Sequence, residues 1–377
     1  MTLDAAMPRV TVVMAVYNAA QFLRQAVASV LAQSYLDFEL IAVEDSSSDD
    51  SLSILESFCD PRLRIIKHRT NMGAALSRND ALAAAQGEFV AIMDADDVCV
   101  PTRLERQVTF LDQNPTVGLV GCGVYECIDA SGAVLWGSQL PEHDETIQGA
   151  LLERWCFLHS SIMFRRTLYE CAGGYRKEFE PVEDHDFVLR IVEHCQAHNL
   201  QELLTHYRLN PKGLSVMGHR YIDELRDAAI RLARRRRKGQ LEDLEGEVSR
   251  VSELKRAKKP LGGLAGAVQR WRDSVYAAER FYGFGCRELG VEHLDRARRC
   301  FARSIRTNGL FVKSWILLVL LQVPFAASCL KLVFRSSLQH DDSRSSGWGS
   351  KLSQRQARGR GNQSMSDNMS PARQQCV

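Results

Sequence analysis

No glycine follows the first apolar run of this chain: residues 17–21 read Tyr17-Asn18-Ala19-Ala20-Gln21. A kinase-like or dehydrogenase site needs a glycine loop there, so that backbone N–H groups can cradle phosphate. The glycine- and lysine-rich first loop usual in nucleotidyltransferases is missing as well. Charge of one sign is also scarce. A formal net charge of +2 over 377 residues argues against wholesale nucleic-acid binding. The eleven cysteines are odd in number and contain no Cys-x-x-Cys pair. That speaks against a zinc site or a disulfide framework, and reduced, mostly buried thiols in a cytosolic protein are expected. The N-terminus has no basic start followed by an apolar stretch, so nothing indicates export and a cytosolic catalytic part is expected. The uncharged run at 314–330 has 17 residues, short of the ~20 of a spanning helix, and Gln322 and Pro324 interrupt it. Three readings of it compete: a buried accessory helix, a helix lying in the membrane interface at about 311–335, and a true span.

What is present is the composition of a folded protein, 45% hydrophobic and 25% charged, with room for one large domain or two ordinary ones. Residues 10–16 form a near-continuous β-branched run, as expected of a strand buried on both faces. Phe22, Leu23, Ala26, Val27, Val30 and Leu31 then mark an amphipathic helix. Strands are predicted at 38–43, 63–66, 89–93 and 117–120, and helices at about 49–58, 74–85 and 101–111. This order implies an α/β fold with a doubly wound, mostly parallel sheet. Weak periodicity through about residue 182 reads as irregular sheet and acceptor-side loops, and a helix begins near Glu183. A C-terminal helical region follows, with a helical hairpin at 276–310. Residues 336–377 hold hardly any large apolar residues and are expected to be disordered. The basic run 234–238 is either a solvated helix end or an anionic-partner patch.

The chemistry concentrates at strand ends. Asp94, Asp96 and Asp97 put three carboxylates within four residues, directly behind the 89–93 strand. Such a cluster is costly unless a cation neutralises it. Ala15-Val16-Tyr17-Asn18 and Glu44-Asp45-Ser46-Ser47-Ser48-Asp49 end the first two strands, so all three segments converge on one crevice. Glu183-Asp184-His185-Asp186 opens a later helix. A helix cap is the structural alternative for Asp45, Asp49 and the acidic cluster. For Tyr17 it is closure of the core, for Arg78 a solvated helix position, and for His159 a satisfied core histidine. His194 and His198 would share a helix face at i, i+4, without the glutamate of a zinc protease pattern.

These segments, with Asn71-x-Gly73, Arg78-Asn79 and Gly87-Glu88-Phe89, follow one another in the order and spacing of inverting family 2 glycosyltransferases. The chain resembles that family over roughly residues 8–215. The resemblance implies the glycosyltransferase A (nucleotide-diphospho-sugar transferase) fold, with 216–335 as a helical accessory region. It implies a nucleotide-sugar donor, of UDP type by the carboxylate at Asp45, which would accept from the uracil imide. Glu44 stands where relatives usually carry aspartate. Ala15, Tyr17 and Asn18 would line the base pocket, and Arg78 would approach the phosphates. Asp96 would ligate Mn²⁺ or Mg²⁺ and Asp94 would touch ribose or sugar hydroxyls. Asp184 is the candidate general base, with Glu183 as its partner or an acceptor-binding group. Asp97, His159 and Asp186 would meet the acceptor or support these groups. Basic residues near Arg208 and Lys212, with His219, are weaker diphosphate candidates. The implied partners are a glycan or lipid-linked acceptor and, through residues 311–335, the cytoplasmic membrane face. The other reading is an inactive nucleotide-sugar or carbohydrate-binding protein of the same fold.

Overall fold

The β-branched run Val10–Val16 forms β1, buried along nearly its whole length. A computed structural model describes residues 7–210, 222–257 and 293–308, with isolated positions at 282, 288, 314, 316–318 and 321. After β1 come α1 (Ala20–Leu31), β2 (Phe38–Glu44), α2 (Ser51–Glu56), β3 (Leu63–Lys67), α3 (Ala74–Ala84) and β4 (Phe89–Ile92). Next are β5 (Val98–Cys99), α4 (Arg103–Gln113), β6 (Val117–Ile128), β7 (Val134–Gln139) and α5 (Asp144–Ala150). Then follow β8 (Met163–Arg165), α6 (Thr167–Ala172), α7 (Glu183–Ile191), β9 (Gln196–Arg208), α8 (Ile222–Arg237) and α9 (Leu244–Ala257).

The strands form one mixed sheet in the order β3-β2-β1-β4-β8-β6-β9-β5, with β7 pairing β6. Strands β3, β2, β1 and β4 are mutually parallel. The period-two side-chain alternation of strands divides the core between the two sheet faces. Val12, Met14, Leu40 and Ala42 pack with α1 and α4, whereas Val13, Ile41 and Val43 pack with α3, α7 and α8. Helices on both faces explain why β1, β2 and β4 are buried and mostly apolar, whereas β3 at the sheet edge carries Arg64 and Lys67.

The second half of the sheet supplies its antiparallel pairs. The strand expected at 117–120 is the start of the long β6, and antiparallel β8 lies between it and β4. Strand β9 has 13 residues and was not anticipated. It buries Asn199 and Thr205 and pairs β6 through register shifts, so its sequence shows no clean alternation. The helical reading of His194 and His198 is therefore corrected: α7 ends at Ile191, and His198 lies in β9, stacked on Phe110.

The basic run closes α8, where cations suit the helix dipole. Arg236 pairs with Glu193 and Glu242, and Arg237 donates to Gln148. Those charges bind neighbouring elements together. A further helix, Leu294–Thr307, packs on β7, with Arg296 donating to Glu126 at 2.6 Å and Arg299 to the Val134 carbonyl at 2.6 Å. It is the second half of the expected 276–310 hairpin; most of the first half lies outside the described residues. Leu317 and Leu321 are buried with Ala297 and Phe301, which supports packing over membrane contact at those positions, while Ile316 faces outward. The rest of 311–335, the tail 336–377, Lys212 and His219 lie outside the described residues. Among the described residues no helix is long and apolar enough to cross a membrane. Among the described residues six free thiols are buried, as expected, and Cys59 is exposed, but Cys171 is disulfide-bonded.

Candidate functional site

Parallel pairing brings the ends of β1 and β2 side by side, with Val16 opposite Glu44. The loops beyond them are stitched together. Asn18 adopts a positive φ of 49°, which asparagine tolerates better than most residues. Its N–H donates to Ser47 Oγ at 3.0 Å, and its Oδ1 accepts from the Ser48 N–H at 2.8 Å. Buried Glu44 accepts the Ser47 N–H at 2.7 Å. Asp49 accepts from Ala20 and Ser51, the first residues of α1 and α2, so it serves two helix starts. Asn18 and Glu44 thus tie the loops after β1 and β2 together.

Asp45 is almost fully buried and accepts from the Met72 and Gly73 N–H groups, both at 2.8 Å. His68 Nδ1 lies 2.7 Å from it, and His68 Nε2 lies 2.8 Å from Asp80. Burial pulls the His68 pKa down, but its two carboxylate partners outweigh this and hold it above the ordinary value. The Asn71-x-Gly73 motif is thereby explained: Gly73 takes φ +95° to aim its N–H at Asp45. A carboxylate has about four lone-pair sites, so room for a further donor remains on Asp45. Partly exposed Ala15 lies one residue before the end of β1. Tyr17 is 52% exposed, which removes core closure as its role. Histidine 68 escaped sequence reasoning because nothing local marks it; only the fold sets it between two acids.

The acidic cluster divides in two. Asp94 and Asp96 are partly open, whereas Asp97 is buried. Asp97 accepts the Arg208 N–H at 2.7 Å and the Ser160 hydroxyl, so both its oxygens are engaged. Burial and the charges of Asp96 and Asp94 push its pKa well up. Asp96 accepts from Asn210 Nδ2 at 3.0 Å; burial and the charge on Asp94 push it up to about 6. Burial alone would raise Asp94, but the Arg78 charge outweighs it and holds the carboxyl low. None of these acids caps α4, whose N-cap is Thr102, so the capping alternative is set aside. Two buried arginines stand behind the cluster. Arg103 donates to the Ile92 and Ser160 carbonyls, both at 2.8 Å, and Arg208 donates to the Asp96 carbonyl at 2.8 Å. Arg208 is 2% exposed, so it cannot swing out to a diphosphate, contrary to the expectation for it.

The donor set suits a hard cation at Asp94 and Asp96 and not at Asp97. Two open carboxylates, one of them raised by the other's charge, are relieved by a divalent ion. Among the described residues no three His, Cys, Asp or Glu side chains are grouped to hold one, so further ligands would have to come from phosphate and water.

Arg78 joins this cluster to α7. Its Nη2 donates to Asp94 at 3.0 Å and its Nη1 to Glu183 at 2.5 Å. It is buried, not a solvated helix position. The neighbouring Asn79 accepts the Tyr175 N–H and donates to the Tyr175 carbonyl, both at 2.8 Å, which pins the loop ahead of α7. Arg78-Asn79 therefore sets the acid cluster and the loop ahead of α7 in one frame. Glu183 is 4% exposed, with Oε2 unpartnered. Asp184 is half-buried, and burial and the Glu183 charge push it up to about 8. Asp186 is fully buried and pairs with Arg190, which also donates to the Ala172, Gly173 and Gly174 carbonyls. It braces α7 and does not reach an acceptor. His159 lies 2.9 Å from the Tyr175 hydroxyl; burial and the Arg78 charge push it down to about 3, so it is neutral. His159 and Asp184 line one pocket with Trp155, Phe157 and His185.

Comparison with known proteins shows what this chain is similar to. The model of glycosyl transferase family 2 matches residues 11–173. The putative glycosyltransferase EpsE of Bacillus subtilis is 35% identical over 205 residues, covering 52% of this chain and 72% of EpsE. The UDP-Glc:alpha-D-GlcNAc-diphosphoundecaprenol beta-1,3-glucosyltransferase WfgD of Escherichia coli is 34% identical over 208 residues, 55% of this chain and 79% of WfgD. Among solved structures, S. aureus TarS 1–349 in complex with UDP-GlcNAc superposes with a TM-score of 0.51 at 16% identity, over 89% of this chain and 92% of that one, a likeness of fold. Motif order, sheet topology and these relatives agree: the chain is a glycosyltransferase and belongs to glycosyl transferase family 2.

Proposed function

We propose that residues 8–215 transfer a sugar, with inversion, from a UDP-sugar to a glycan or lipid-linked acceptor. In this reading 216–335 is a helical accessory region and 336–377 a tail. The observation that carries it is the Arg78 bridge between Asp94 and Glu183, with Asp184 beside it and open to a pocket. A donor-side acid cluster and an acceptor-side carboxylate thereby face one crevice.

Asp45, Ala15 and Tyr17 would hold the base, with Asn18 and Glu44 keeping the loops in place. Arg78 would balance phosphate charge and orient Asp94 toward the sugar. Mn²⁺ or Mg²⁺, when bound by Asp96 and Asp94, would supply positive charge to the departing diphosphate. Asp184 would take the proton of the acceptor hydroxyl. The acceptor oxygen then bonds to the anomeric carbon as its bond to phosphate breaks, and the electron pair leaves on the nucleoside diphosphate. A raised pKa makes Asp184 a stronger base than a free carboxylate at ~3.9. Glu183 would hold Arg78, and the neutral His159 would present a hydrogen-bonding ring to the acceptor.

Support for the UDP donor and the lipid-linked acceptor comes from the activity named for WfgD. An acceptor of that type sits at a membrane face, which suits a peripheral, cytoplasm-facing protein. The test is a thermal-shift panel of UDP-, GDP- and TDP-sugars, each with and without Mn²⁺. Stabilisation by UDP-sugars, enhanced by the ion, is expected; a preference for another base would overturn the UDP assignment.

A further inference from the structure

His68 stands one residue beyond β3, and the pairing of β3 with β2 sets it beside Asp45. Its backbone N–H donates to the Glu44 carbonyl at 2.9 Å. Both ring nitrogens then face carboxylates: Nδ1 lies 2.7 Å from Asp45 Oδ1, and Nε2 lies 2.8 Å from Asp80 Oδ2 on α3. A carboxylate that faces other donors only accepts, so Nδ1 carries a proton and donates it to Asp45. Asp80 fixes the angle of the ring from the opposite edge, and the His68 side chain is left 10% exposed.

The donors on Asp45 divide unevenly between its oxygens. Oδ1 accepts from His68 Nδ1 and from the Met72 N–H, whereas Oδ2 accepts, among the described residues, from the Gly73 N–H alone. Each carboxylate oxygen has about two lone-pair sites, so Oδ1 is filled and Oδ2 keeps one. Asp45 can therefore take one more N–H and not two. Nucleobases differ in that respect. The imide edge of uracil or thymine offers a single N–H between two carbonyls. Guanine offers an N–H and an amino group side by side, spaced to meet both oxygens of one carboxylate. With Oδ1 filled, the guanine amino group is buried against Asp45 without an acceptor, which is the costly outcome. We propose that His68 is the positioning residue that selects the base: by filling Oδ1 of Asp45 it leaves a single acceptor, which suits an imide and turns guanine away. This rests on the reading of Asp45 as the group that meets the donor's base, and adds to it the source of its selectivity.

The test titrates the full chain with UDP, inosine diphosphate (IDP) and GDP in the presence of Mn²⁺ by calorimetry. Hypoxanthine and guanine share ring size and the ring N–H and differ only in the amino group, so IDP against GDP isolates the second donor. The wild type should bind IDP about tenfold more tightly than GDP, the factor expected for one buried, unmatched donor. In His68→Ala water takes the vacated place and yields to the amino group, so the ratio should fall to about unity or invert. His68→Asn restores an N–H beside Oδ1 and should keep the wild-type ratio. A role in stability alone would weaken all three nucleotides together and leave the ratio unmoved. GDP binding as tightly as IDP in the wild type overturns the proposal, and that result stands should a variant fail to fold. So does a ratio unchanged in His68→Ala, a ratio lost in both variants, or purine binding in none of the three proteins, which would leave ring size as the selector. Absence of UDP binding by the wild type would instead sink the donor reading; UDP binding together with any of those results sinks only the role of His68.

Discussion

Arg78 reaches two carboxylates with one planar fork, and a lysine cannot. Arg78→Lys should lose one charge-assisted hydrogen bond, worth about 1.5–3 kcal/mol, and leave Glu183 or Asp94 unmatched. A lowered melting temperature and at least a tenfold fall in kcat are expected; unchanged kinetics would remove Arg78 from the site. Asp184 makes a sharper prediction through pH. Its folded pKa is pushed up to about 8 by burial and Glu183, above the ordinary ~3.9. A base works ionised, so kcat/KM should climb with pH and level off above about 8; an acid limb near 4 would show that Asp184 is not the group titrating. Linkage has the opposite sense for stability. The folded state binds this proton more tightly than the unfolded chain, so its contribution favours folding below about 4 and is lost as pH rises to 8. Asp184→Asn should abolish that acid limb and lower transfer by about 10²–10⁴.

At the scale of elements, the contact of Gly87 with Thr11 locks together two strands that carry the site. Gly87 precedes β4, and a methyl there would lie 2.5 Å from the Thr11 backbone nitrogen in β1. Its N–H also donates to Thr11 Oγ1 at 2.9 Å. Gly87→Ala should therefore push β1 from β4, with a cost of about 1–3 kcal/mol measurable by urea denaturation; wild-type stability would mean that the strands have slack. The first half of the sheet was legible because β1, β2 and β4 are buried on both faces and read as largely apolar runs. Strand β9 was illegible because Asn199 and Thr205 occupy buried positions and bulges break its period. His194 and His198 show the same weakness: spacing alone matched a helix, while pairing with β6 made His198 part of a strand.

For the whole molecule, coupling between cation and nucleotide is the expected signature of Asp94 and Asp96. Two protein carboxylates hold an ion weakly, and diphosphate would complete its shell. Mn²⁺ with UDP should raise the melting temperature by more than the sum of either alone. Asp96→Asn should reduce the combined effect to that sum; full coupling in the variant would place the ion elsewhere. By itself the sequence determined which segments meet at the carboxyl edge of the sheet, because apolar strand runs and the residues directly behind them are local properties. It also determined the ordered motifs that mark the family. Only the tertiary structure decided which acids are closed by partners and which stay open. Burial and partners separate Asp97, closed by Arg208 and Ser160, from Asp94 and Asp96, and separate Asp186, bound to Arg190, from Asp184. Those partners lie up to 111 residues away along the chain, and a carboxylate's charge, reach and basicity depend on its neighbours in space.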